Sequence, residues 1–405
     1  MFHVKQQRRA AALLVAIAGL SLFVLSCGGA AGSRGWAAPV PVDNLELVDG
    51  SKVPGVLVSA RKGHLVAINT QNREAIWRFP ECWSISDKKA RSLQGIYGAP
   101  IATRDGQTVF VGDYSGHVYA FPATEYNCGQ GEKKAAASLK LDDHIIGGIA
   151  LDQATDTIYV TSGPRLLSLS ARDLTARMDN KDANVAVKEV FKAGGDIWGA
   201  PVLTPNGILV SSLDGNLYML DAGNGRETWR FAAGKSLAST PVLSSGVVLV
   251  GGFDGRLHAV DIASGDERWE FKASHWVWSS PLVEGGRAYF GDFDGRLYAV
   301  DVSSGRELWS FDLGKGAIRA APALSRDTLV VATERGWLVG VETSGQAKRW
   351  ETKIGTGIDA DVVVKNDSVY IAPRGCVTAE GSEDRIYYTN VDARTGELRL
   401  ANGVC

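Results

Sequence analysis

Short apolar runs, alternating with polar positions and punctuated by turn residues, dominate the chain after its first thirty residues. One stretch shows the grammar. "SSPLV" (279–283), "RAYFGDF" (287–293), "RLYAVDV" (296–302) and "ELWSF" (307–311) each have strand length and β-branched or aromatic content. In the last, Trp309 and Phe311 fall on one face, as a period of two requires. Asp294-Gly295 is a hairpin signal between the second and third runs, because glycine accepts positive φ without a Cβ clash. "DVSSG" (301–305) turns the chain again, with an aspartate able to bond its own backbone and a glycine for the left-handed position. The pattern predicts four strands, A to D, and no amphipathic helix is evident downstream of the N-terminal segment.

This unit repeats. A Gly-x-Leu/Val core recurs at Gly63, Gly116, Gly215, Gly255, Gly295 and Gly336, with degenerate copies at Arg165–Ser170 and Arg385–Leu400. A second phrase precedes most copies and carries Pro100, Pro201, Pro241, Pro281 and Pro322. Eight four-stranded units, forty to fifty-three residues apart, predict an all-β chain: an eight-bladed β-propeller of antiparallel blades. Seven blades is the alternative if the third copy forms none. Closure is expected through a blade shared by the N- and C-terminal strands, which would remove the sheet edge. Trp77, Trp229, Trp269, Trp309 and Trp350 hold one place in five copies. Each can bury about 150–250 Å², and the natural role for such a series is docking blade on blade. Asp214, Asp254 and Asp294 are read as turn chemistry rather than metal ligands.

The phrase resembles the pyrroloquinoline-quinone (PQQ) repeat, D-G-x-L-Y-A-L-D-x-x-T-G-x-x-x-W-x-F, over nearly everything from about residue 45. That resemblance implies one of two kinds of propeller. One is the quinoprotein dehydrogenases, which hold the quinone with a calcium or lanthanide ion. The other is a non-catalytic group typified by BamB-like lipoproteins of outer-membrane-protein assembly. Enzymes of the first kind often carry adjacent cysteines beside the cofactor, and several add CxxCH; neither occurs here. The expectation is therefore a non-catalytic scaffold without cofactor that binds an envelope protein, possibilities including the barrel-assembly machinery. PQQ with calcium is the enzymatic alternative, and a small-molecule sensor the third reading.

The N-terminus agrees with export. Lys5, Arg8 and Arg9 precede sixteen uncharged, mostly apolar residues, Ala10–Leu25, and then "SCGG". That is a signal pattern, too short to span a bilayer comfortably. "VLSC" resembles a lipobox, which makes Cys27 the expected lipidated residue. Residues 1–27 are then signal, 28–44 a flexible tether and 45–405 the propeller, an extracytoplasmic and membrane-anchored chain. Setting Cys27 aside leaves Cys82, Cys128, Cys376 and Cys405, an even number consistent with disulfides in an exported protein. Three connectivities are open; Cys82–Cys128 and Cys376–Cys405 are nearest in the chain. Loss of three basic residues with the signal would move the formal charge from −2 to −5. With no basic run, nothing points to nucleic acid. A monomeric ring is expected.

In repeats of this kind strand A lines the central channel, so D–A connectors and B–C turns share one rim. The candidates there are Tyr97, Asp113, Tyr114, Trp198, His275, Trp276, Trp278, Phe293, Arg319 and Arg335, with Phe253, Asp292 and Asp359 beside them. Aromatic residues interleaved with charge suit a protein interface. "SHWVWSS" (274–280) is the most unusual connector; the competing reading is that Trp198 and Trp278 only cap the channel by packing together. His275 is a lone histidine, and residues 80–96, 122–143, 171–189 and 372–385 are irregular insertions that could equally be solvated filler.

Overall fold

The computed structural model describes residues 37–398 apart from 48–49, 61–63, 73–74, 80–82, 86–92, 94, 124–133, 346 and 372–388. The signal segment and all five cysteines lie outside the described residues. So the cysteine pairings, the lipidation site and the core glycine of the first copy, Gly63, stand as sequence expectations.

Eight sheets, each local in sequence, form eight blades. Blade 6 realises the predicted grammar: strands Leu282–Glu284, Arg287–Gly291, Arg296–Asp301 and Glu307–Asp312 pair in chain order. Blades 4, 5 and 7 repeat it from Val202, Val242 and Ala323. The degenerate third copy is also a full blade, with strands Ile149–Asp152, Thr157–Ser162, Arg165–Ser170 and Val187–Lys192. Blade 2 has a fifth strand, Trp83–Ile85, which pairs parallel to its outermost strand Lys134–Lys140. Three strands of blade 8 are described, and Leu398 bridges to Val391 where a fourth would run.

The second and third strands carry the core, with runs such as Gly207–Ser211 and Val247–Gly251 buried throughout. They are covered on both faces by neighbouring blades, so they read as continuous apolar segments rather than alternating ones. The tryptophans stand where strand D passes a bulge. Trp77, Trp269 and Trp309 lie opposite Ala67, Ala259 and Ala299, and the register shifts at the next residue. A bulge at this point re-aims the side chain outward from the strand pair. Each indole N–H then donates to a carbonyl of the following blade: Trp77 to Ala123 at 3.3 Å, Trp229 to Ile262 at 3.0 Å, Trp269 to Val302 at 2.9 Å, Trp309 to Thr343 at 3.0 Å and Trp350 to Ala393 at 3.0 Å.

Two expectations are corrected. Among the described residues the ring does not close through a shared blade: strand Val40–Glu46 pairs with Lys52–Ala60 in blade 1. The described residues of the two terminal blades meet through side chains, with Tyr370 of blade 8 set against Val56, Val58, Val66 and Ile68 of blade 1, and an ion pair between Lys365 and Asp43. The propeller also begins before residue 45, because Val40–Glu46 occupies what was expected to be tether. "AAPV" (37–40) is a copy of the proline phrase, and Pro41 is tolerated because this innermost strand has one free edge. The polar excursion of blade 3 contains a short helix, α1 (Ala171–Ala176), capped by Ser170, whose hydroxyl accepts from the Asp173 amide. Its single turn buries only Ala171 and Leu174, too little periodicity to read as amphipathic.

Candidate functional site: the axial channel and its rim

Just before the innermost strand, six of the eight blades place two residues, two positions apart, on the channel wall. Residues from all eight blades enclose a cavity of about 400 Å³. Its outer ring includes Tyr97, Ile146, Trp198, Ala238, Trp278, Arg319 and Asp359; its inner ring includes Ala99, Ala200, Thr240, Ser280, Ala321 and Asp361. The inner ring is riveted from blade to blade. The Ala200 amide donates to Thr240 Oγ1 at 3.1 Å, that of Thr240 to Ser280 Oγ at 3.0 Å, and that of Ala321 to Asp361 Oδ1 at 2.6 Å.

The rim is built by a second recurrent bond. The turn after the second strand donates a backbone N–H to the preceding connector: Tyr114 to Gly95, Leu213 to Asp196, Phe253 to Ser236, Phe293 to Trp276 and Glu334 to Ala317, at 2.8–3.0 Å. This bond brings the two predicted loop sets to one end of the ring. On blades 5 and 6 it assembles a half-buried aromatic cluster. Phe253 stacks on Trp276 at 5.0 Å, Phe293 lies parallel to Trp278 at 6.2 Å, and His275 stacks on Phe293 at 5.7 Å. Trp198 meets Trp278 at 5.8 Å, the packing foreseen in the capping reading, yet both rings still line the open channel. Arg319 sits 4.9 Å over Phe293 and 5.6 Å over Trp278, while bonding Asp359 at 3.1 Å and Glu334 at 2.8 Å.

Not every rim candidate is presented there. Asp113 is fully buried and holds its own turn, accepting from Ser115, the His117 amide and Tyr119. Asp292 is likewise buried, accepting from Ser274, Tyr298 and the Arg296 amide. The first residue after the second strand, Asp113 or Asp292, still faces inward, whereas the next one, Tyr114 or Phe293, faces the rim by alternation. Tyr97 is 6% exposed, edge-on to Tyr114, and belongs to the channel wall. Arg335 is exposed on the blade 7 turn, away from the aromatic cluster, beside Gly316. Asp361, Thr240 and Ser280 were absent from the sequence candidates. Asp361 could have been found by sliding "DADV" (359–362) onto "RAAP" (319–322), where valine replaces the proline that marks the other copies.

His258, Glu267 and Glu270 are close enough together to share a metal ion. Their hydrogen bonds describe an ion-pair cluster instead. His258 Nδ1 contacts Glu267 at 2.7 Å and Nε2 contacts Asp254 at 3.1 Å, while Arg256 bonds Glu270 at 2.9 Å. Burial opposes charging this imidazole, but the two carboxylates outweigh it and raise its pKa. In blades 4 and 6 the same position is tyrosine, bonded to Asp214 at 2.7 Å and Asp292 at 2.9 Å. Burial and Asp214 together push Tyr218 up to about 12.

A sequence model of the family described as "Outer membrane protein assembly factor BamB" matches residues 213–403. Among solved structures, BamB from Moraxella catarrhalis superposes with a TM-score of 0.58 at 15% identity, covering 83% of this chain and 96% of that one. The chain is an eight-bladed β-propeller, and its residues 213–403 match that family's model. A computationally designed protein, Ika8, matches this propeller comparably, with a TM-score of 0.60 at 14% identity over 85% of this chain and 97% of the other. Resemblance to a designed protein shows that these superpositions report architecture. The comparison with curated proteins returned no match.

The repeat's name raises the quinone, and the channel's donor set is mismatched to it. PQQ carries three carboxylates and needs cationic partners, but Arg319 is the one cationic side chain among the described residues lining the cavity. Its guanidinium is already bonded to two carboxylates, and Asp361 adds a third acid to the same neighbourhood. Without a bound cation to offset these acids, such a lining repels a polyanion.

Proposed function

We propose that this propeller is a non-catalytic interaction scaffold of the cell envelope, which engages a protein partner through the aromatic rim of blades 5 and 6. The observation that carries this reading is the cluster of Phe253, Trp276, Trp278 and Phe293, bordered by His275 and Arg319. Four large rings held half-exposed on two hairpin turns and the connector between blades 5 and 6 offer apolar area at low entropic cost, which is the make-up of interface hot spots. The match to the outer-membrane assembly factor family supports the barrel-assembly machinery as the partner class. The basic, apolar and "LSC" succession at the N-terminus supports export and anchoring through a lipid on Cys27. The mismatch between the channel and a polyanionic quinone supports a role without that cofactor.

The test is an in-cell crosslink of the full-length chain from its own membranes, with partners identified by mass spectrometry. Recovery of barrel-assembly components, lost in Trp276→Ala and Phe293→Ala variants that melt normally, is the expected result. An undiminished crosslink in both variants would move the interface elsewhere, and no protein crosslinked at all would overturn the scaffold reading. Cys27→Ala should release the protein from membranes if the anchor is as proposed.

A further inference from the structure

The inner ring of the channel contains its own control. At Thr240 and Ser280 a neutral hydroxyl suffices to accept the amide of the preceding blade. At the equivalent place in blade 8 the same bond, from Ala321, is accepted by a carboxylate, Asp361. The rivet requires an acceptor and no charge. A carboxylate inside a protein channel loses hydration that a hydroxyl never needed, so the charge is surplus to the structural task. The nearby cation does not account for it: Arg319 is taken up by Asp359 and Glu334.

The same cavity has aromatic walls. Tyr97, Trp198 and Trp278 all line it, and the Trp198 indole N–H is buried with no hydrogen-bond partner among the described residues. Indole and phenol faces attract cations through the ring quadrupole, and here Trp278 already holds the Arg319 guanidinium 5.6 Å from its centroid. A space of about 400 Å³ lies within the range of small-ligand pockets, roughly 300–1,000 Å³.

We infer that the axial channel binds a small organic ammonium ion, its charge against Asp361 and its alkyl groups between Tyr97, Trp198 and Trp278. This goes beyond the scaffold reading: Trp278 belongs to both the rim cluster and the channel wall, but Asp361, on which the charge recognition rests, lies in the inner ring of the channel and not in the rim cluster. Enclosure raises the Asp361 pKa, opposed only by the bond from Ala321, so an arriving cation would relieve a carboxylate held in unfavourable surroundings.

The probe is choline chloride, titrated into the purified full-length chain by calorimetry and followed by tryptophan fluorescence at constant ionic strength. The control is 3,3-dimethylbutan-1-ol, which has nearly the same shape without the charge. Choline is expected to saturate, with the neutral isostere and the Asp361→Thr variant each at least about tenfold weaker, the scale of one desolvated cation–π or ionic contact. Asp361→Thr keeps the rivet, because threonine does that work at position 240, so its melting temperature should stay near that of the parent. Asp361→Asn is the second variant, keeping an acceptor of the same shape should threonine disturb folding. Equal binding of choline and its isostere, unchanged choline affinity in both variants, or no saturation by about 10 mM would overturn the assignment.

Discussion

The indole N–H of Trp309 donates to the carbonyl of Thr343 in the next blade at 3.0 Å, while its ring lies under Gly345. One residue thus ties blade 6 to blade 7 by a polar bond at its edge and apolar contact on its face. Trp309→Ala should destabilise the ring by about 2–4 kcal/mol, below a fully buried tryptophan because the side chain is half-buried. Trp350→Ala, at 8% exposure, should cost more than Trp309→Ala. Urea midpoints of the two variants test the ordering, and an unchanged midpoint for either would remove its docking role.

The partner glycine predicts a complementary effect. Gly345 has φ +71°, and a Cβ there would approach Trp309 to 2.1 Å. Gly345→Ala should therefore destabilise by more than about 1 kcal/mol, through backbone strain and displacement of the ring together. Combined with Trp309→Ala the two losses should be sub-additive, since the clash disappears with the ring. Strict additivity in a double-mutant cycle would show that only backbone strain is at work.

What the sequence disclosed follows from what repeats disclose. Trp229, Trp269 and Trp309 recur in register, so strand order and docking could be read from periodicity alone, whereas the choice of eight blades over seven rested on the degenerate third copy, which the structure shows to be a full blade. The meeting of the terminal blades could not be read in that way, because it depends on Tyr370 reaching Val56 and Val66 across the whole chain, a contact with no repeat to announce it. Rim residues were legible in their loops and blurred in their orientation. Asp292 and Phe293 are neighbours, yet one is fully buried and the other faces the cluster, a distinction set by strand phase at the turn. Asp361 escaped notice because Val362 replaces the proline that flags its equivalents.

Arg319 joins two blades to the rim. Its side chain is 10% exposed and Asp359's is 8%, so their bond is shielded more than a surface pair. Arg319→Met should cost about 2–4 kcal/mol, reduced from a dry interior by channel water, and should loosen Phe293 and Trp278 by removing the cation above them. Adding Asp359→Leu should recover part of the loss, because the double variant no longer buries an acid without its guanidinium. Thermal melts of single and double variants decide this; no recovery would mean that packing, not charge, is what Arg319 supplies.

His258 gives the fold a pH dependence whose direction follows from its neighbours. Asp254 and Glu267 face its two nitrogens, Phe231 packs on the ring at 5.2 Å, and Arg256 and Glu270 complete the surroundings. The folded pKa is raised above the ordinary histidine value, so the folded state binds the proton more tightly than the unfolded chain. That contribution is fully present below about pH 6.5, the unfolded value, and is lost as pH rises through the higher folded pKa. His144, held by Asp196 and Asp143, adds in the same sense. Stability measured from pH 6 upward should fall accordingly, on top of any other titration. His258→Tyr restores the residue that blades 4 and 6 use at this position, where the hydroxyl donates to the turn aspartate without titrating in this range. The variant should fold normally and lose less stability over the same interval, the remainder belonging to His144. An identical pH profile for parent and variant would place the dependence outside this cluster.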